Sequence, residues 1–139
     1  MKILVPVDGS AYSLKAVETA CDLATAKPPS SLFLMAVAVE IPELEEGVYI
    51  AEKMKAQAEV ALAKAKEVAQ SKGVAAEVNV LTGVSPADEI VQAAKDQKAD
   101  LIVLGSRGLA GKTRSFLGST ASQVVTYSPC SVLVVKSQD

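Results

Sequence analysis

Apolar positions in this chain follow two periods that take turns from one end to the other. Short runs of continuous or alternating apolar residues read as strands, and runs with apolar residues every three or four positions read as helices. Lys2 to Val7 is the first strand-like run. Leu14, Val17, Cys21 and Ala24 then recur at helical spacing behind Ser10, which reads as the N-cap, and Pro28-Pro29 ends that helix. Leu32 to Val39 is apolar at every position, which predicts a strand covered on both faces. Glu40 to Val48 is acidic, holds Pro42 and Gly47, and reads as a loop. A long helix follows over Tyr49 to Ser71, with Ala51, Met54, Ala58, Ala61, Ala65 and Val68 as one narrow stripe and Gly73 as its terminator. That stripe reads as core or as a dimer-facing side.

Ala75 to Leu81 is the most polar strand, with Glu77 and Asn79 alternating against Val78 and Val80, and is expected at a sheet edge. Ser85-Pro86-Ala87-Asp88 starts a helix whose buried face is Ala87, Ile90, Val91 and Ala94. Asp100 to Leu104 is the fourth strand. Ala121, Val124 and Val125 mark the last helix, stopped before Pro129, and Ser131 to Lys136 is the fifth strand. Strand and helix alternating in this way predict an α/β fold: an open five-stranded parallel sheet with right-handed crossovers and helices on both faces. No composition shift divides the chain, so residues 1–139 read as a single domain.

Composition narrows the picture. Half of the 139 residues are apolar, aromatics make up 4%, and there is no Trp, so the core must be built from Val, Ile, Leu and Ala. The longest apolar run is too short to cross a bilayer, and Asp8 interrupts the first one, which argues against a membrane span and a signal peptide. Cys21 and Cys130 lie in apolar segments and read as reduced residues of a cytoplasmic protein. A net charge of -2 argues against a nucleic-acid surface.

The candidate chemistry collects at two strand ends. Pro6-Val7-Asp8-Gly9-Ser10 follows the first strand. Gly105-Ser106-Arg107-Gly108 follows the fourth and leads through a basic loop, with Lys112 and Arg114, to Gly118-Ser119 at a helix start. Glycines admit an anion close to the backbone, and helix N-termini point N–H groups at it. In open parallel sheets, ligands bind beyond the carboxyl ends of strands where the strand order reverses. A 3-2-1-4-5 order would bring both loops to one crevice; alternation alone does not prove it. Gly111-Lys112-Thr113 imitates the end of a Walker A loop, but that motif needs a glycine where Ser106 stands, and Gly105 is one residue out of register. Plain structural readings stand beside these. Asp8 could cap the helix or brace the turn, the glycines could serve only turns, and Arg107, Lys112 and Arg114 could be solvated surface charges.

With these residues in view, the chain resembles the universal stress protein family over essentially its full length. The resemblance rests on Val5-Pro6-Val7-Asp8-Gly9-Ser10, on Ala99-Asp100-Leu101-Ile102-Val103, on Pro129-Cys130-Ser131-Val132-Leu133-Val134-Val135, and on spaced glycines. Two residues separate Gly105 from Gly108 and nine separate Gly108 from Gly118, with Ser119 next. This matches the G-x2-G-x9-G-S/T pattern of the family's ATP-binding branch. The resemblance implies a Rossmann-like fold of the adenine-nucleotide alpha hydrolase-like type with strand order 3-2-1-4-5. It implies ATP, or ADP or AMP, as ligand, with Mg or Mn held mainly by the phosphates. Asp8 would bond the adenine or ribose side, and Pro6, Val7 and Val37 would line the base. Gly105, Ser106, Arg107 and Gly108 would meet ribose and phosphates, and Gly118, Ser119, Thr120 and Ala121 would hold phosphates; Ser10 joins this set at the first strand end. It implies a homodimer through antiparallel pairing of the Ser131 to Lys136 strand. Two departures stand out. Thr120 and Ala121 follow Ser119 where other members often have Val and then Thr or Ser, and the unusually basic loop favours di- or triphosphate over AMP.

Three functional readings follow. The first is a cytoplasmic stress-response regulator or interaction module whose partner choice depends on bound ATP, through ordering of the 106–117 loop. The second is a weak ATPase or self-phosphorylating enzyme with Ser119 or Thr120 as acceptor. The third is a dimeric scaffold that binds no nucleotide. The chain has no His, and the sequence offers no nucleophile–base pair and no metal-ligand cluster, so efficient catalysis is not indicated.

Overall fold

The computed structural model describes residues 1–41, 47–107 and 117–136. Its elements, in chain order, are β1 (Lys2–Pro6), α1 (Ala11–Ala26), β2 (Ser31–Val39), α2 (Gly47–Ser71), β3 (Ala76–Gly83), α3 (Pro86–Gln97), β4 (Leu101–Gly105), α4 (Ser119–Tyr127) and β5 (Ser131–Val135). The strands form a five-stranded sheet in the order β3-β2-β1-β4-β5, and all pairs are parallel. This is the order that brings the two loops together. Two boundaries differ by two residues: α2 begins at Gly47, inside the stretch expected to be loop, and β3 runs on to Gly83. There the main chain stays paired with β2 as far as Val39, and the Glu40 N–H donates to the Gly83 carbonyl at 2.8 Å. The rule that pleated strands turn alternate side chains to opposite faces sees the polar Thr82 only as the end of the pattern, whereas the backbone ladder continues through it.

Helices cover both faces because both faces are apolar. Ile3, Val5, Leu32, Leu34 and Val103 point to one side and pack with Val17, Ala20 and Cys21 of α1 and Ala58, Ala61 and Ala65 of α2. Leu4, Met35, Ile102 and Leu104 point to the other and pack with Ile90 and Ala94 of α3 and Val124 of α4. The α2 stripe is therefore core from Ala58 onward, while Ala51 is exposed. Its small side chains let the helix lie close to the sheet and to the turn after β1, where the position of a Cβ on Gly9 would be 3.7 Å from the Ala61 Cβ. Gly9 has φ +89°, a conformation that glycine adopts without steric cost and that turns the chain from β1 into α1. At the end of α2 the Gly73 N–H donates to the Gln70 carbonyl and the Val74 N–H to the Ala69 carbonyl, the paired bonds of a glycine-terminated helix.

The polar strand β3 sits at one sheet edge, as its alternation predicts, and β5 forms the other. Cys21 is fully buried, and burial pushes its thiol up from the ordinary cysteine value, which suits an unreactive core residue. No helix among the described residues is long and apolar enough to cross a membrane.

Candidate functional site

In the sheet, β1 has β2 on one side and β4 on the other, so the strand order reverses between β1 and β4. Beyond their carboxyl ends lies a cavity of about 430 Å³. That volume falls in the range of roughly 300–1,000 Å³ usual for small-molecule sites. It opens on the face covered by α3 and α4.

The wall changes character from one side to the other. On the β2 side it is apolar, formed by Val37 and Val39 from the strand and Pro86 and Ile90 from α3. In the middle stand Pro6, Val7 and Asp8 from the end of β1, Ser13 from α1, and Leu104 and Gly105 from β4. On the far side are Arg107 and the start of α4, from Gly118 to Ala121. Asp8 and Arg107 are the charged residues of the wall among those described.

The start of α4 supplies the anion-seeking chemistry. Gly118 is its N-cap and makes no side-chain hydrogen bond to the helix, and the first intrahelical bond is from the Ser122 N–H to the Gly118 carbonyl at 2.9 Å. The N–H groups of Ser119, Thr120 and Ala121 precede that bond and belong to the set a helix leaves without an internal acceptor. With the helix dipole they favour an anion here. The base of the loop that delivers this helix is fixed. The Gly118 N–H donates to the Ser106 carbonyl at 2.7 Å, and the Ser106 N–H donates to the Val135 carbonyl at 2.9 Å.

The turn after β1 is braced differently. Asp8 is exposed at the rim, and its Oδ1 accepts the Ser10 N–H at 2.9 Å. Ser10 caps α1, its hydroxyl accepting the Ser13 N–H at 3.2 Å. The bracing reading of Asp8 thus holds, and the same residue also faces the cavity.

Most of the residues singled out from the sequence meet in this one place: Pro6, Val7, Asp8, Val37, Gly105, Arg107, and Gly118 through Ala121. Ser10 and Ser106 are not on the wall. Both are buried, one as a helix cap and the other at the root of the loop. Gly108, Lys112 and Arg114 lie outside the described residues. Gly105 owes its identity to packing. A Cβ there would stand 2.7 Å from the Tyr12 Cβ and 2.8 Å from its carbonyl carbon, so the strand end and the first turn of α1 can touch only without one. Sequence reasoning missed Ser13, Val39, Pro86, Ile90 and Leu104 as wall residues. Val39 was within reach, since it shares a strand face with Val37 two residues earlier. Pro86 and Ile90 carried only helix-start and core signals, and nothing local shows that their helix leans over the end of β2.

No group of three or more His, Cys, Asp or Glu side chains that could hold a metal ion occurs among the described residues. The polar arc of backbone N–H groups, beside an apolar slot, suits a molecule with a flat apolar part and an anionic part.

Comparison with known proteins places this geometry. The family model described as Universal stress protein family matches residues 1–136. The chain is 39% identical to Universal stress protein MJ0531 of Methanocaldococcus jannaschii, over 97% of this chain and 81% of that protein. Among solved structures it is similar to universal stress protein UspA from Lactobacillus plantarum, with TM-score 0.84 at 29% identity over 97% of each chain. It is also similar to a universal stress protein in complex with cAMP, with TM-score 0.75 at 30% identity over 97% of this chain and 96% of that one. The match to the family model spans nearly the whole chain, and the chain belongs to the universal stress protein family.

Proposed function

We propose that the chain binds ATP in the cavity between β1 and β4 and acts as a nucleotide-dependent regulatory or interaction module. The observation that carries this reading is the pairing of an apolar slot with a glycine-capped helix start across one cavity. Adenine would lie against Val37 and Val39, with Pro6 and Val7 beside it. The ribose would meet Asp8, which stands between the two ends. The phosphates would be held by Gly118, Ser119 and Thr120, with Arg107 and Gly108 adding contacts from the loop. Mg or Mn would be carried on the phosphates and would neutralise part of their charge. The relative in complex with cAMP supports an adenine nucleotide as ligand.

Regulation rather than turnover is favoured by what lines the wall. Among the described wall residues Asp8 is the carboxylate, and in the proposed pose it would meet the sugar rather than the phosphates. Phosphoryl transfer can run slowly on positioning and electrostatics alone, so slow hydrolysis or phosphorylation of Ser119 or Thr120 is the second reading. Dimerisation through β5 belongs to the same proposal. That strand is a sheet edge, and Leu133 on it is 37% exposed.

The test is the nucleotide content of the protein as purified, released by heat and resolved by ion exchange with mass detection. ATP at near-stoichiometric yield is the expected result. ADP or AMP in its place, with phosphoprotein after incubation with Mg-ATP, would favour the enzyme. A protein that purifies empty and gains no thermal stability from millimolar Mg-ATP would favour the nucleotide-free scaffold.

A further inference from the structure

Ser13 lines the cavity yet is only 4% exposed, and it lies at the third position of α1. In the usual capping box a Glu or Gln at that position reaches back to the N-cap N–H. Here the Ser10 N–H is already taken by Asp8 Oδ1. A short hydroxyl at position 13 is thereby released for another task. Ser13 Oγ accepts the Asp8 N–H at 3.3 Å and donates to the Ser10 carbonyl at 3.0 Å, while the Ser13 N–H donates to Ser10 Oγ at 3.2 Å. Asp8, Ser10 and Ser13 are therefore bonded to one another, the backbone of Asp8 held by Ser13 and its carboxylate by Ser10.

A carboxylate only accepts hydrogen bonds, so Asp8 can serve only a donor of the ligand, such as a sugar hydroxyl. Hydrogen bonds weaken steeply as their angle and distance depart from the ideal, so the direction of that carboxylate matters. We propose that Ser13 is a positioning residue for Asp8 and, through it, sets the affinity for the nucleotide; this inference rests on the nucleotide reading of the cavity. Ser13 acts by fixing where the Asp8 main chain sits.

A double-mutant cycle read by calorimetry with Mg-ATP tests it, using the wild type, S13A, D8A and the double variant. S13A is expected to raise Kd by about five- to tenfold, the loss of roughly one well-made hydrogen bond. In the D8A background the same change is expected to have almost no effect, because the acceptor it positions is gone. S13T keeps the hydroxyl and is expected to restore most of the affinity. Should S13A fail to fold, S13C replaces it, since a thiol of similar size bonds only weakly. Equal losses from S13A with and without Asp8, or no loss at all, would overturn the inference while leaving nucleotide binding in place. A wild type that binds no Mg-ATP would overturn both.

Discussion

Two helices begin at the same rim of the sheet, and they are capped in opposite ways. At the start of α1 the side chains of Asp8, Ser10 and Ser13 take up the local N–H groups among themselves. At the start of α4 the cap is Gly118, which has no side chain to offer. The first arrangement closes a turn and leaves little for a ligand except a held carboxylate. The second leaves a row of N–H groups facing a cavity. The contrast separates a helix start satisfied by its own side chains from one whose cap offers none. An optimally capped α4 would be a poorer anion site.

The largest effect should come from forcing α4 to resemble α1. In Gly118→Asp the new carboxylate can cap the helix, worth only a few tenths of a kcal/mol over glycine. It also places a negative charge where phosphate should lie, and like charges about 4 Å apart cost about 4 kcal/mol at intermediate dielectric. Calorimetry with Mg-ATP should show affinity falling at least about 100-fold. The melting temperature without ligand should hold or rise slightly.

Next in size is Gly105→Ala. The added methyl meets the main chain of Tyr12, not the end of a flexible side chain, so α1 must move away from β4. Urea unfolding should show a loss of about 1–3 kcal/mol. Ser10→Ala removes the α1 cap and should cost about 0.5–2 kcal/mol by the same measurement. Because Ser10 is off the cavity wall, its effect on Mg-ATP affinity should be far smaller than that of Gly118→Asp.

The smallest effect lies far from either helix start. Lys72 bonds Asp22 at 3.0 Å, and that hydrogen bond, with the charge of Asp22, raises its ammonium above the ordinary lysine value. A raised pKa means that the contribution is fully present below the ordinary lysine value and is lost as pH rises through the folded one. Asp22→Asn should therefore alter stability only slightly at neutral pH, and less still in high salt, because the pair is solvent-exposed. Thermal melts across the alkaline range, with and without the substitution, check this.

What could be read from the sequence follows from what is local. The fully apolar run in β2 and the polar alternation in β3 reported burial on two faces and an edge position directly. Ser10 and Ser85 announced helix starts because capping is a matter of neighbours in the chain. Of the spaced glycines, Gly105 and Gly118 line the same cavity, but the packing reason for Gly105 was not legible. Gly105 is required by Tyr12, whose contact depends on how α1 crosses the end of β4. The apolar slot was only half visible, since Pro86 and Ile90 reach it through the placement of α3 over β2. Ser13 was hidden for a similar reason: its sequence position says helix, and only the three-residue bond set shows what its hydroxyl does.

If the cavity between β1 and β4 is a nucleotide site, Mg-ATP must shift the thermal melt. At ligand concentrations about 100 times Kd, binding to the folded state alone adds about 2.7 kcal/mol. For a domain of this size that is a rise of several degrees, on the order of 5–15 °C. Such a rise is expected in the wild type and is expected to be lost in Gly118→Asp. No rise in the wild type at millimolar Mg-ATP, or an equal rise in both proteins, would contradict the nucleotide reading.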